Sequence, residues 1–120
     1  MPGRGRLRRS ISKWADTEDQ HVRDLRQAHG GEDVQSISEA PDRQPVRLRG
    51  TLRTVTLRPR GGVPALEADL DDGTGVVALV WLGRRRISGI EPGRSLTALG
   101  RIGVHDGHRI MYNPRYELMP

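Results

Sequence analysis

Leu66-Glu-Ala-Asp-Leu-Asp-Asp-Gly-Thr-Gly-Val-Val-Ala-Leu-Val-Trp-Leu82 identifies the architecture as a β-sheet. Leu66, Ala68 and Leu70 alternate with Glu67, Asp69 and Asp71, the period of a strand with one buried and one wet face. Asp71-Asp-Gly-Thr-Gly75 then supplies the Asp-Gly pair that tight hairpins favour, and Val76 to Leu82 is a nearly continuous apolar strand. Upstream, Val46, Leu48, Gly50 and Leu52 alternate with Arg47, Arg49, Thr51 and Arg53, which predicts a preceding strand. Gly50 in its middle predicts a bulge or a sharp bend. The two strands are separated by the Pro/Gly-rich loop Arg58-Pro-Arg-Gly-Gly-Val63.

Downstream, Gly83 to Ile90 is polar except for Ile87 and Ile90, and Glu91-Pro-Gly93 resets the chain into a fourth strand running through Val104. His105-Asp-Gly-His108 turns it into a fifth, ending near Leu118. Upstream, Lys13 to His29 lacks Pro and Gly and carries Trp14, Val22, Leu25 and Ala28 at partly helical spacing, which predicts a helix stopped by Gly30 and Gly31. Trp14 is expected to fasten it to the strands. Gly31 to Pro45 reads as a linker able to pin itself onto the following domain, and residues 1 to 13 as a basic flexible arm. The expected organisation is arm 1–13, helix and linker 14–45, and strand domain 46–120. Five short strands with a bend in the first and a long third connection predict an all-β, five-stranded OB-fold barrel, preceded by the helix and a disordered basic arm.

Composition bounds the function. The 120 residues hold 20 basic and 15 acidic side chains, and no Cys or Phe. Absent thiols exclude disulfides and thiolate metal sites. No apolar run approaches the roughly 18 residues of a membrane span, and no apolar stretch follows the basic start, so the chain is read as cytoplasmic with no membrane partner. Charge falls in blocks: five basic and no acidic residues in 1–13, three against eight in 14–45, twelve against seven in 46–120. Every basic residue except Lys13 is Arg, whose planar fork grips phosphate with two donors. GC-rich coding also produces that usage, so composition alone does not decide for nucleic acid.

Gly93-Arg-Ser-Leu-Thr-Ala-Leu-Gly100, the following Arg101 to His108, Ile110-Met-Tyr-Asn-Pro-Arg-Tyr-Glu117 and Asp72-Gly-Thr-Gly75 resemble the wedge OB domain of RecG helicase over roughly Val46 to Leu118. The chain as a whole is similar to the short stand-alone actinobacterial proteins known as OB-fold nucleic-acid-binding-domain proteins. The resemblance implies nucleic-acid binding. The helicase motor is absent from this sequence, so motor activity is not carried over.

Binding on such a fold uses the face of strands two and three and the loops from strand one to two and four to five. The predicted nucleic-acid contacts are Arg58 and Arg60 in the first loop, Arg84, Arg85 and Arg86 after strand three, and Arg109 beside the second loop, with Tyr112 and Arg115 as auxiliaries. Arg47, Arg49 and Arg53 are expected to pair instead with Glu67, Asp69 and Asp71 across the strands. Trp81 aligns with Val77 and Leu79 and reads as core; Tyr112 and Tyr116 either stack bases or plug one end of the barrel. Val76, Ala78, Val80 and Leu82 leave an apolar face on strand three, covered either by the helix or by a partner. These residues support a non-catalytic, weakly sequence-specific nucleic-acid module for single-stranded or structured DNA or RNA. The rival is a protein-interaction domain acting as an adaptor or subunit.

No catalytic residues, cofactor or metal are predicted. His105 and His108 flank a hairpin tip, and the Asp69 to Thr74 run departs from a calcium loop by placing Gly73 and Thr74 where an oxygen ligand and Gly belong. Gly83-Arg-Arg-Arg86 lacks the ending of a phosphate-binding P-loop.

Overall fold

A computed structural model of the chain describes residues 34–120. A 3-10 turn at Ile37–Glu39 precedes strands β1 (Pro45–Leu57), β2 (Ala65–Asp71), β3 (Val76–Leu82), β4 (Ser95–Arg101), β5 (Gly103–His105), β6 (His108–Tyr112) and β7 (Arg115–Leu118). They form one sheet in the order β5-β6-β3-β2-β1-β4-β7, open because β5 and β7 do not pair with each other. The five-stranded barrel is thus corrected to an open sheet of seven strands. The expected helix and basic arm lie outside the described residues, among which the 3-10 turn is the only helical element.

Two of the five expected strands are each broken in two, for a reason visible in their backbone hydrogen bonds. At Ile102 the amide donates to the Gln44 carbonyl (3.3 Å) and the carbonyl accepts from the Arg43 amide (2.8 Å). Both ladder groups therefore go to the incoming N-terminal segment, and the strand stops before β5. The other break is at Asn113 and Pro114. Asn113 adopts the left-handed region (φ 50°), which Asn tolerates better than most side chains. Its amide donates to the Val80 carbonyl (2.6 Å) and its Oδ1 accepts from the Leu82 amide (2.9 Å). Asn113 so ends the parallel pairing of β6 with β3, and Pro114 sends the chain on to pair β7 with β4.

β1 has to serve two neighbours. Residues 45–51 pair with β4 and residues 51–57 with β2, the change falling next to Gly50. A Cβ on Gly50 would stand 2.6 Å from the Asp71 carbonyl oxygen, so the bend there needs a residue without a side chain. The bulge itself lies three residues on, where Arg53 is skipped between the pairs Leu52↔Leu70 and Thr54↔Asp69.

The inward side chains follow from the alternation. Leu48, Leu52, Leu70, Leu79, Leu96, Ala98 and Met111 are fully buried in one cluster, with Trp81 beside them. Trp81 is core, as its period predicted; its indole N–H donates to the Pro114 carbonyl (3.1 Å), and Tyr116 meets it edge-on at 5.6 Å. The linker from residue 34 is pinned onto the sheet. Ile37 and Ala40 join the core, so the packed body begins before Val46. The buried Asp72 carboxylate accepts from the amides of Ile37 (3.0 Å), Thr74 (2.8 Å) and Gly75 (3.3 Å) and from the Thr74 hydroxyl (2.6 Å), closing the β2–β3 hairpin and holding the linker with one group.

Candidate nucleic-acid interface

Strand direction sorts the predicted contacts. β2 begins, and β3 and β6 end, at the same edge of the sheet, so the loop after β1, the segment after β3 and the β6–β7 junction converge there. The Gly83 amide donates to the Pro64 carbonyl at 2.7 Å, tying Arg84–Arg86 to the loop that carries Arg58 and Arg60. Asn113, bonded to the end of β3, brings Tyr112 alongside. Five of the predicted arginines and Tyr112 therefore share one end of the sheet.

Arg84, Arg85 and Arg86 are exposed and make no hydrogen bond or ion pair with a described residue. The run is short and held at both sides: Gly83 turns the chain at φ 78°, and the buried Ile87 and Ile90 anchor its C-terminal side. Three guanidinium groups are thus displayed on an arch whose feet are fixed.

Arg60 behaves differently. Its Nη2 lies 2.9 Å from Glu67 Oε1, its Nη1 donates to the Tyr112 hydroxyl at 3.1 Å, and its guanidinium carbon is 5.6 Å from the Tyr112 ring centroid. The Glu67 hydrogen bond, opposed by burial, raises the Arg60 pKa. Glu67 and Tyr112 are the register neighbours of Val80 on either side, so a guanidinium bonded to both crosses above Val80, which is 0% exposed. The apolar face expected on strand three is divided as a result: Val80 lies beneath Arg60, while Val76 and Leu82 stay exposed. Arg58 also faces Glu67, at 4.0 Å.

The sequence expectation about acidic partners holds for Arg53 and changes for the other strand and loop arginines. The loop arginines Arg58 and Arg60, expected to be unpaired, share Glu67. Arg53 pairs with Asp71 (3.5 Å) as expected, but Arg47 and Arg49 stand opposite β4, where Arg49 Nε donates to the Thr97 hydroxyl at 3.2 Å. The register of β1 decides this, since its first half never reaches β2.

Arg109 lies elsewhere, whereas Arg115 opens β7 directly after the Asn113–Pro114 junction. Arg109 sits at the other end of β6 and donates to the carbonyls of Ser38 (2.9 Å) and Ala40 (3.3 Å), clamping the linker. By strand alternation it points to the opposite side of the sheet from Tyr112. Arg115 is on β7 opposite Leu99. Tyr116 is committed to Trp81.

The same end also exposes Leu57 (48%), Val63 (45%), Leu82 (41%) and Tyr112 (46%). Sequence reading missed Leu57 and Val63 as candidates, whereas Leu82 was already part of the apolar face expected on strand three; the signal available was an apolar residue at each end of the loop that carries Arg58 and Arg60. Among the described residues no group of three His, Asp or Glu side chains is placed to hold a metal. No described helix is long and apolar enough to cross a membrane.

No protein-family model matches the chain, and no curated protein matches it in sequence. Among solved structures it is similar to RecG bound to a three-way DNA junction, with a TM-score of 0.53 and 16% identity. The match covers 93% of this chain and 17% of that one. At this identity the likeness speaks for the fold, and it supports the OB-like strand arrangement that the sequence resemblance implied.

Proposed function

We propose that the protein is a non-catalytic nucleic-acid-binding module. The observation that carries this reading is the convergence of Arg58, Arg60, the Arg84–Arg86 arch, which has no partner among the described residues, and Tyr112 at one end of the sheet, through the Gly83–Pro64 and Asn113–Leu82 hydrogen bonds. Guanidinium groups without acidic partners take phosphate oxygens, and an exposed ring with apolar neighbours takes a base face. Phosphate contacts carry no sequence information, so binding is weakly sequence-specific. One half-exposed Tyr favours a strand with unpaired bases, of DNA or RNA, including the single-stranded part of a branched structure. Similarity to RecG in its DNA-bound form supports the reading at the level of fold.

The exposed Leu57, Val63 and Leu82 at that same end favour a second reading, a docking surface for a protein. Fluorescence anisotropy with labelled oligothymidylate, duplex DNA and RNA separates the two. Tyr112→Ala is expected to weaken single-strand binding by about 1 to 3 kcal/mol, the worth of one stacked base, and to leave the duplex titration unchanged. Absence of binding to all three ligands at low salt would give the surface to a protein partner.

A further inference from the structure

A second group of arginines lies on the outward side of β1, β4 and β7, where none of the carboxylates of β2 reaches. The register places Arg47, Leu99 and Arg115 in one row across the three strands. Adjacent strands are about 4.8 Å apart, so the two arginine backbones stand about 10 Å apart with Leu99 between them. They flank a cleft of about 450 Å³ lined also by Gln35, Val46 and Gly100, with no carboxylate among the described residues of its wall. Arg47 Nε is shielded from solvent and has no acceptor among the described residues. Gln35 accepts the Arg47 amide through Oε1 (3.0 Å), which leaves its side-chain nitrogen as a further donor. An acid described on this face, Glu117, stands in the next row with Arg49 and Thr97.

A pair of guanidinium groups, one holding a buried unsatisfied N–H, on either side of an apolar floor fits an oxyanion attached to an apolar body. We propose that this cleft binds one nucleotide unit of a nucleic-acid strand, its phosphate between Arg47 and Arg115 and its sugar or base against Leu99. The inference rests on the nucleic-acid reading above and adds a second contact point for the same strand, on the outward face of β1, β4 and β7.

The test tracks the arginine Nε–H signals of the full chain by NMR during titration with oligothymidylates of about 4 and about 16 nucleotides, the span of site sizes for such folds, and with thymidine monophosphate. The longer strand is expected to move the Arg47 signal saturably, also in the Arg84→Ala, Arg85→Ala, Arg86→Ala triple variant. Arg115→Ala, and Leu99→Glu, which sets a carboxylate between the guanidinium groups on the outward face, are expected to weaken the longer strand about tenfold. An Arg47 signal that stays still while the strand binds overturns the cleft and leaves the proposed function standing. A monophosphate that binds Arg47 as tightly as the strand reassigns the cleft to a free nucleotide and overturns the strand assignment. A strand that binds nowhere overturns both.

Discussion

At Gly50 the chain approaches its neighbour more closely than any other residue type permits, since an added Cβ meets the Asp71 carbonyl carbon at 3.0 Å and its oxygen closer still. Both contacts are backbone, so the site has little room to relax. Gly50→Ala is expected to cost about 1 to 3 kcal/mol in urea unfolding, as overpacking does; a change within about 0.5 kcal/mol would contradict the close approach. The need for a bend was legible in the sequence as a glycine inside an alternating strand. The place of the bulge was not, because skipping Arg53 depends on where β2 lies relative to β1. Asn113 illustrates the same divide: the Asn-Pro pair is visible as part of a motif, but its work is done on the Val80 carbonyl and Leu82 amide, more than thirty positions away. Single-residue charge assignments failed where they relied on nearness in sequence. Arg60 finds Glu67 seven positions on because the loop folds back over β3.

Among the elements, the segment from residue 34 to β1 is the one that the hydropathy pattern understated. It contributes Ile37 and Ala40 to the core and is held by Asp72, by the Thr74 hydroxyl on the Ser38 amide (3.2 Å), by Arg109, and by Asp42 on the Val104 amide (3.0 Å). Strand existence was readable from a period of two, and β2 and β3 lie where the alternation put them. The interruptions at Ile102 and Asn113 were not readable, since local sequence does not say which carbonyl an amide will find. Asp72 was expected only to shape a hairpin. Asp72→Ala is expected to lower stability by about 1 to 3 kcal/mol and to speed amide exchange at Ile37 and Ser38 more than in β2. Exchange unchanged at Ile37 would contradict its role as the anchor of this segment.

The whole molecule separates its arginines by function. Arg53, Arg58 and Arg60 are matched to acids on β2, Arg109 is used internally, and Arg84–Arg86 is presented without a described partner. Sequence reading found the Arg84–Arg86 run because no acid is near it in the chain, and the fold keeps it so. It grouped Arg109 with that run because Arg109 adjoins the last hairpin, whereas the parallel pairing of β6 with β3 puts Arg109 at the far end of β6. The decisive experiment for the arginine arch is a salt series of single-strand binding for the natural protein and the Arg84→Ala, Arg85→Ala, Arg86→Ala variant. Each phosphate contact contributes about −0.7 to the slope of log affinity against log salt for single strands, so the variant is expected to bind more weakly with a slope shallower by up to about 2, and to unfold within about 0.5 kcal/mol of the natural protein. An unchanged affinity and slope would contradict the assignment of this arch as the phosphate-contacting part of the interface.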